Sequence, residues 1–505
     1  MKHANTEDNA VTTASLYIAG VWRPHRRDIP VLNPATGEEV GGIPKATQSE
    51  LNEAVSAARD AFGDWSHPAK WPWVRRAEVI DDWVQLIKRD VERIARIITL
   101  ESGKHINEAR ADVIEGIHML QYCAGMGRQP IGAKFSSEIG EKESETHRVS
   151  RGVCTVITPW NFPFAIPTWL IGPALVCGNT VVFKPSEETP LTAHALVELF
   201  AHIAEKHNVP SGVLNLVQGD GEAGEYLVRH PDTVGQLFTG SYTVGANIKQ
   251  IAAAHQNKFA VCEMGGKNAL IVAKDADLTL AVNAAILSAY KTTHQRCVSA
   301  DLIVVDAAIE PEFTERFLKT TQRVVFGDPF DEKNVFSGPL INAQAAAKYR
   351  DTAKRLQEEC DETLLVGGEV KRNFVKPAVY RMRHRSDTYA LREEFFTPHV
   401  VIVPVAGFDE ALFVANDHEY GLSQALITRD YAKMREFKIR STAGLKYVNL
   451  PTIGAEVHLP FGGLRRSGTG MPSAAWLFNY LCHDTAFTVN YGTEIKLAQG
   501  LSASV

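Results

Sequence analysis

Ile80, Trp83, Ile87, Val91, Ile94 and Ile98 recur at three- and four-residue steps. That is the spacing of one apolar face on a helix, and it predicts a single amphipathic helix over residues 74–100. Upstream, SLYIAGVWRPH predicts a hairpin turning near Gly20, and residues 1 to about 12 are polar and predict a frayed end. From residue 151 the pattern changes. Short apolar runs alternate with helical segments: GVCTVITPW, NTVVFKPS, GVLNLVQG, VGQLFTG, KFAVCEMGG and NALIVAK as strands, with helices in SEETPLTAHALVELFAHIAEKH and SYTVGANIKQIAAAH. Such alternation predicts an α/β fold with a parallel sheet covered on both faces. After about residue 265 a second set begins, with helices in DLTLAVNAAILSAYKTTHQ and AAIEPEFTERFLKTTQRV and strands in ADLIVVDAA, HVVIVPV and GLSQALIT. It predicts a second α/β domain. ETHRVSRG and DTAFTVNYG are polar, β-prone and lie outside both.

The chain's 505 residues allow two to four domains with a large core. With 45% hydrophobic and 22% charged residues and a net charge of −6 spread without blocks, the chain carries no electrostatic footprint for nucleic acid and no polybasic membrane anchor. The most apolar stretch, PWNFPFAIPTWLIGPALVCGNTVVF, is interrupted by Pro163, Pro167, Pro173 and Gly178, so no membrane span is expected. The start, MKHANTEDNA, does not read as a secretory signal. Seven widely spaced cysteines with no CxxC pair predict neither a disulfide framework nor a metal site, and fit a reducing, cytoplasmic setting.

Several segments carry candidate chemistry. In KTTHQRCVSA, Cys297 is either a nucleophile or a thiol buried as a small apolar side chain. In FTGSYTVGAN, Gly240 and Ser241 join a strand to a helix whose free N–H groups suit a pyrophosphate, or form an ordinary glycine-rich turn. In FKPSEETP, Lys184 and Glu187 sit at a strand's C-terminal end. There a carboxylate can accept from both ribose hydroxyls and repel a 2′-phosphate, or the stretch is a solvated helix cap after Ser186. Glu263 ends an apolar strand before two glycines, as a general base with a raised pKa or as a paired structural carboxylate. Asn161 lies in a proline-bounded loop, as a donor to an oxyanion or a turn residue.

TPWNFPF, NTVVFKPSEETP, FTGSYTVG, CEMGGKN, HQRCVSA, REEFFTP, NDHEYGLS and LPFGGLRRSGTG, in this order, closely resemble the aldehyde dehydrogenase superfamily, NAD(P)-dependent and hydrolytic branch. The resemblance runs from about residue 15 to the end. It implies that Cys297 attacks the aldehyde carbonyl to give a thiohemiacetal, that Asn161 and the Cys297 N–H stabilise the oxyanion, and that Glu263 activates water to release the acid from a thioester. It places Glu394 on the nicotinamide ribose with Phe396 beside the ring, Lys184 and Glu187 on the adenine ribose, Ser241 on the pyrophosphate and Gly221 by the adenine. Pro159, Trp160, Ser186, Phe238, Gly240 and Gly245 complete the implied cofactor contacts. The implied architecture is a Rossmann-type NAD domain (1–130 and 151–264), an α/β catalytic domain (265–470) and a small bridging β-sheet (131–150 and 484–505) serving a homodimer or homotetramer.

The chain departs from the family where a lysine commonly follows the loop tryptophan, here Leu170, and where a glutamate follows SGxGR, here the Met471–Pro472 region. Losing one member of such a buried ion pair would cost about 3–5 kcal/mol; losing both is coherent and predicts a changed or slower deacylation. Thr397 replaces a usual glycine, and His483 and Thr485 replace an acid–x–basic pair. The leading expectation is NAD-dependent oxidation of an aldehyde to an acid, Glu187 favouring NAD with NADP also possible. A CoA-acylating semialdehyde dehydrogenase, which would typically lack Glu263, and a catalytically weakened binding protein are the alternatives. Glu456 and His458 either meet a charged substrate or face solvent. Tyr290, Trp169 and Phe162 either line an apolar tunnel or are core, with core expected for two of the three.

Overall fold

The computed structural model describes residues 14–497 and 499; the polar residues 1 to 12 lie outside the described residues, as do 498 and 500–505 of the expected bridging sheet. Two seven-stranded sheets dominate. The first runs Phe259–Met264, Thr233–Gly240, Val153–Ile157, Thr180–Lys184, Leu214–Leu216, Tyr17–Ile18, Val21–Trp22. Its five long-range strands are parallel, and the hairpin at Ala19–Gly20 adds two antiparallel strands. Strand order reverses between Val153–Ile157 and Thr233–Gly240, which opens a crevice at their carboxyl ends.

The second sheet runs Glu362–Leu365, Ala378–Arg381, His399–Val405, Ala300–Asp306, Asn268–Val272, Ser423–Ile427, Leu445–Val448, parallel except for its first strand. Asn268–Val272, Ala300–Asp306 (save Asp306) and Ser423–Ile427 are buried along their length, as unbroken β-branched and aliphatic runs require. A third, antiparallel sheet joins Lys134–Phe135, Lys142–Ser150 and Cys482–Asn490, in register from Cys482↔Ser150 to Asn490↔Lys142.

The predicted helix over 74–100 is two helices, Trp73–Arg89 and Val91–Ser102. Asp90, between them, has φ −116° and ψ 10°, and its carboxylate accepts from Arg93. The apolar stripe resumes beyond this break, so the periodicity conceals the join. The apolar stretch near 165 is a twelve-residue helix, Ala165–Val176, buried at every position. At 1.5 Å per residue it is about 18 Å long, and no helix among the described residues is long and apolar enough to cross a membrane.

Helix Ile106–Met126 packs on this buried helix through Gly116. A Cβ there would lie 2.6 Å from the Phe164 ring and 3.1 Å from Thr168 Oγ1. Gly116→Ala is therefore expected to destabilise the protein by about 1–3 kcal/mol, read as a lower urea midpoint; an unchanged midpoint would show that Phe164 swings aside without cost.

Candidate active site

Cys297 follows a short segment of unusual backbone. Thr292, Thr293 and His294 have φ of 51°, 52° and 67°, a left-handed conformation that costs side-chain-bearing residues about 1–3 kcal/mol each unless the surroundings enforce it. They do. The Thr292 N–H and hydroxyl donate to Glu108 Oε1 at 3.0 Å each. Thr293 Oγ1 donates to the Gly338 carbonyl at 2.6 Å. The His294 ring is held between the Ala289 carbonyl (2.6 Å) and Asp301 Oδ1 (2.7 Å). Gln295 accepts from the Ile341 N–H at 2.9 Å. After Cys297 the chain is fixed again, its carbonyl accepting from Asn268 Nδ2 at 2.7 Å.

The strand Phe259–Met264 delivers Glu263 to the same place. Cys297 and Glu263 face one cavity of ≈ 80 Å³ walled by Phe162, Trp169 and Phe461, with Glu115 and Arg296 as its other charged groups. Glu263 is buried; Oε2 accepts from the Gly463 N–H at 3.3 Å, and Oε1 has no hydrogen-bond partner among the described residues. Burial raises its pKa well above the carboxylate range, and burial followed by the charges of Glu263 and Glu394 raises that of the Cys297 thiol. Asn161 lies to one side, donating from Nδ2 to the Gln295 carbonyl at 3.0 Å. That bond fixes which end of the amide is nitrogen and leaves its second N–H for another acceptor.

Of the three aromatic residues weighed from sequence, only Tyr290 is simply core, stacked on Phe317. Phe162 and Trp169 line the cavity, and Trp169 is also buried in the core, so two of the three are core as expected. Phe162 is drawn in because Lys104 and Arg296 lie over its ring, at 3.9 and 5.1 Å. Glu115 and Arg296 were missed as site residues. Glu115 sits on a helix whose pattern reads as ordinary amphipathicity, and burial, then Asp112, pushes its pKa up to about 7. Arg296 was visible beside Cys297; its Nη2 donates to Glu108 at 2.9 Å and its Nε to Thr292 at 2.8 Å.

The remaining predicted residues gather at the carboxyl ends of the first sheet. Lys184 is buried, with Nζ 3.4 Å from Glu187 Oε2. Ser186 Oγ accepts from the Glu188 N–H at 3.3 Å. Ser241 caps helix Tyr242–Ala253 by accepting from the Val244 N–H. The Phe238 ring lies so close over Gly240 and Gly245 that a Cβ would approach it to 2.4 and 3.2 Å. Gly221 opens helix Gly221–Arg229 with open space around it, whereas Gly224 in the next turn lies against Ile157 and Lys184. Glu394 Oε1 accepts from the Gly266 N–H at 3.0 Å, and a Cβ on Gly265 would strike its carboxylate at 2.2 Å. Burial pushes Glu394 up to about 7. Phe396, at φ 55°, meets Pro159's neighbour Trp160 edge-on at 5.8 Å. Thr397 fits where glycine was expected because its hydroxyl bonds His399 Nδ1 at 2.9 Å.

The model for the aldehyde dehydrogenase family matches residues 22–486. The chain belongs to this family. Among the curated aldehyde dehydrogenases, the alpha-ketoglutaric semialdehyde dehydrogenase of Bacillus subtilis (strain 168) is 35% identical over 464 residues, 90% of this chain and 93% of that protein. Malonate-semialdehyde dehydrogenase 1 of Geobacillus thermodenitrificans is 35% identical over 91% of this chain and 94% of its own. The crystal structure of 1-pyrroline-5-carboxylate dehydrogenase from Thermus with bound NAD superposes with a TM-score of 0.89 at 30% identity, covering 95% of this chain and 93% of that one.

For this aldehyde dehydrogenase the thiol's raised pKa has a direct consequence. Raising a thiol pKa shrinks the thiolate fraction near neutrality, so alkylation must speed up as pH rises. Iodoacetamide labelling of Cys297, followed on its own peptide by mass spectrometry, is expected to accelerate continuously from pH 6 to 9. A plateau near pH 7 would contradict the burial argument.

Proposed function

We propose that the chain oxidises an aldehyde to a carboxylic acid with NAD, through a covalent cysteine intermediate, and releases the acid by hydrolysis. The observation that carries this is the meeting of one thiol, Cys297, and one base candidate, Glu263, in a single apolar cavity. Covalent catalysis splits the oxidation into two halves, and each needs its own group. Cys297 gives its proton to solvent water, its Sγ adds to the carbonyl carbon as the C=O π pair moves to oxygen, and the oxyanion is met by the second N–H of Asn161 and the Cys297 N–H. NAD, when bound, accepts the hydride from the resulting thiohemiacetal carbon. Glu263 then removes a proton from the water that attacks the thioester, and the acid leaves as Cys297 is restored.

The residues present suit NAD. Glycines 240 and 245 let the backbone pass close under Phe238 and Met264, where a Cβ would clash, and the first turn after Ser241 offers N–H groups to a pyrophosphate. Lys184 and Glu187 would take the adenine ribose, where Glu187 disfavours a 2′-phosphate; Glu394 would take the nicotinamide ribose, with Phe396 and Trp160 beside the ring. On this reading residues 151–264 are the core of the NAD domain and 265–470 the catalytic domain. The third sheet leaves strand Cys482–Asn490 at an open edge with Phe487 half exposed, which suits pairing with a second copy in a cytoplasmic dimer or tetramer.

Glu263 argues against the CoA-acylating alternative, which needs no water-activating base. Its lone Oε1 and the burial of Leu170 favour slow deacylation over loss of activity. Rapid mixing with NAD and aldehydes including alpha-ketoglutaric and malonate semialdehydes is expected to give an NADH burst of one per site. Glu263→Gln should keep the burst and lower steady turnover by about 10²–10⁴-fold, while Cys297→Ser should abolish both. Loss of the burst in Glu263→Gln would assign Glu263 to acylation instead.

Both reactive groups have raised pKa values, so their charged, active forms accumulate as pH rises. Turnover is accordingly expected to climb from pH 6 to 9; a fall across that range would mean that a protonated group limits the rate.

A further inference from the structure

The catalytic cavity shares Glu115 and Ala455 with a second cavity of ≈ 620 Å³, which forms its mouth. One wall of this mouth is a single helix face: Ala111, Ile114, Glu115 and His118 stand at i, i+3, i+4 and i+7 on helix Ile106–Met126. The other wall is the loop that carries Glu456 and His458. That loop is fastened to the nucleophile's segment, because Thr452 donates from Oγ1 to the Val298 carbonyl at 2.8 Å and from its N–H to Ser288 Oγ at 2.9 Å. Its far end is tied down by the Ala475 N–H, which donates to the Val457 carbonyl at 3.1 Å. The mouth is therefore held in place relative to Cys297.

Charge along this path is unbalanced. Arg296 lies in the cavity wall, but its Nη2 is committed to Glu108 at 2.9 Å and its Nε to Thr292 at 2.8 Å. Lys104 is buried and paired with Asp112 at 2.7 Å. Two cations are thus matched by two carboxylates. Glu115 is a third carboxylate, partly buried, with no hydrogen bond or ion pair among the described residues; Arg296 and Lys104 act on it only through space. Farther out, Glu456 pairs only with His458, at 3.2 Å. His118 is the mouth's other titratable group, and no lysine or arginine among the described residues lines it. An aldehyde with a positive tail meets uncompensated carboxylate here, and a carboxylate tail meets the same charge as repulsion. Trp169 and Phe461, edge-on at 4.8 Å, give the carbon spacer an apolar, aromatic wall on the way.

We propose that Glu115 makes this site selective for aldehydes with a cationic tail, an ammonium or quaternary ammonium group a few carbons from the carbonyl, with Glu456 as the outer carboxylate that draws the tail in. The proposal rests on the aldehyde-oxidising reading of the Cys297 cavity and names the substrate class for it. Glu115 meets the tail and takes no part in bond making. A cation beside it favours its ionised form, against the burial that raises its pKa, so the tail strengthens its own attraction.

The test uses the intact protein, NAD and three aldehydes with the same carbon spacer: trimethylammoniobutanal, its neutral isostere with a quaternary carbon in place of nitrogen, and glutarate semialdehyde. The cation is expected to exceed the neutral isostere in kcat/KM by about tenfold, with the carboxylate last and the gap shrinking as NaCl is added. Glu115→Gln should remove most of the cation-over-neutral ratio, through KM, and Glu115→Asp should retain more of it; a role confined to packing would leave the ratio unmoved. Oxidation of the neutral isostere with no preference for the cation, a preference for glutarate semialdehyde, or a cation preference that survives Glu115→Gln would overturn the proposal and leave the aldehyde-oxidising reading standing. NADH from none of the three would overturn both.

Discussion

Three consecutive residues with side chains, Thr292, Thr293 and His294, are held in the left-handed region, and the catalytic geometry depends on what holds them. At about 1–3 kcal/mol each, the strain rivals the net stability of a domain. It is offset by groups reaching in from distant parts of the chain: Glu108 from one helix, Asp301 from a strand of the second sheet, Gly338 and Ile341 from a loop. Glu108 and Asp301 are both buried, and each has its own cation, Arg296 for the first and Lys267 for the second. Removing either carboxylate would free the backbone and strand a charge together. The position of Cys297 is thus set by a helix, a strand of the second sheet and a loop together.

Glu263 presents the opposite case, a buried carboxyl that the surroundings do not satisfy. One oxygen has a single long hydrogen bond and the other has none. Leu170 is buried in the apolar core, and Pro472 lies against Gly462, beside the glycine that supplies Glu263's one donor. Neither residue offers the carboxyl a charge or a hydrogen bond. A neutral acid in an apolar cavity costs far less than a bare carboxylate there.

The alternating strands and helices after residue 151 were legible because buried parallel strands are nearly continuous apolar runs. The break at Asp90 was not, since a one-residue cap leaves the helical stripe in phase. Cys297 and Glu263 were legible through their motifs. Glu115 belongs to the cavity only because helix Ile106–Met126 crosses the Cys297 segment, a tertiary fact that no local pattern carries. The left-handed turn was equally hidden. Threonine and histidine are poor residues for that conformation, and the hydrogen bonds that enforce it come from more than 100 residues away for Glu108 and from about 45 for Gly338.

Taken together, the resting cavity avoids charge at its two reactive groups. Burial raises the pKa of both the Cys297 thiol and the Glu263 carboxyl and so favours their neutral forms. Arg296 is the cation at the wall, and Glu108 already neutralises it. In the proposed mechanism charge therefore arises when sulfur attacks and its proton departs, in a low-dielectric space where a fixed N–H is worth more than in water. The same burial that makes the thiol a poor nucleophile at rest strengthens every donor aimed at the oxyanion. In the proposed mechanism, the placement of Asn161 and the Cys297 N–H distinguishes transition state from ground state, and the left-handed turn leads directly into Cys297.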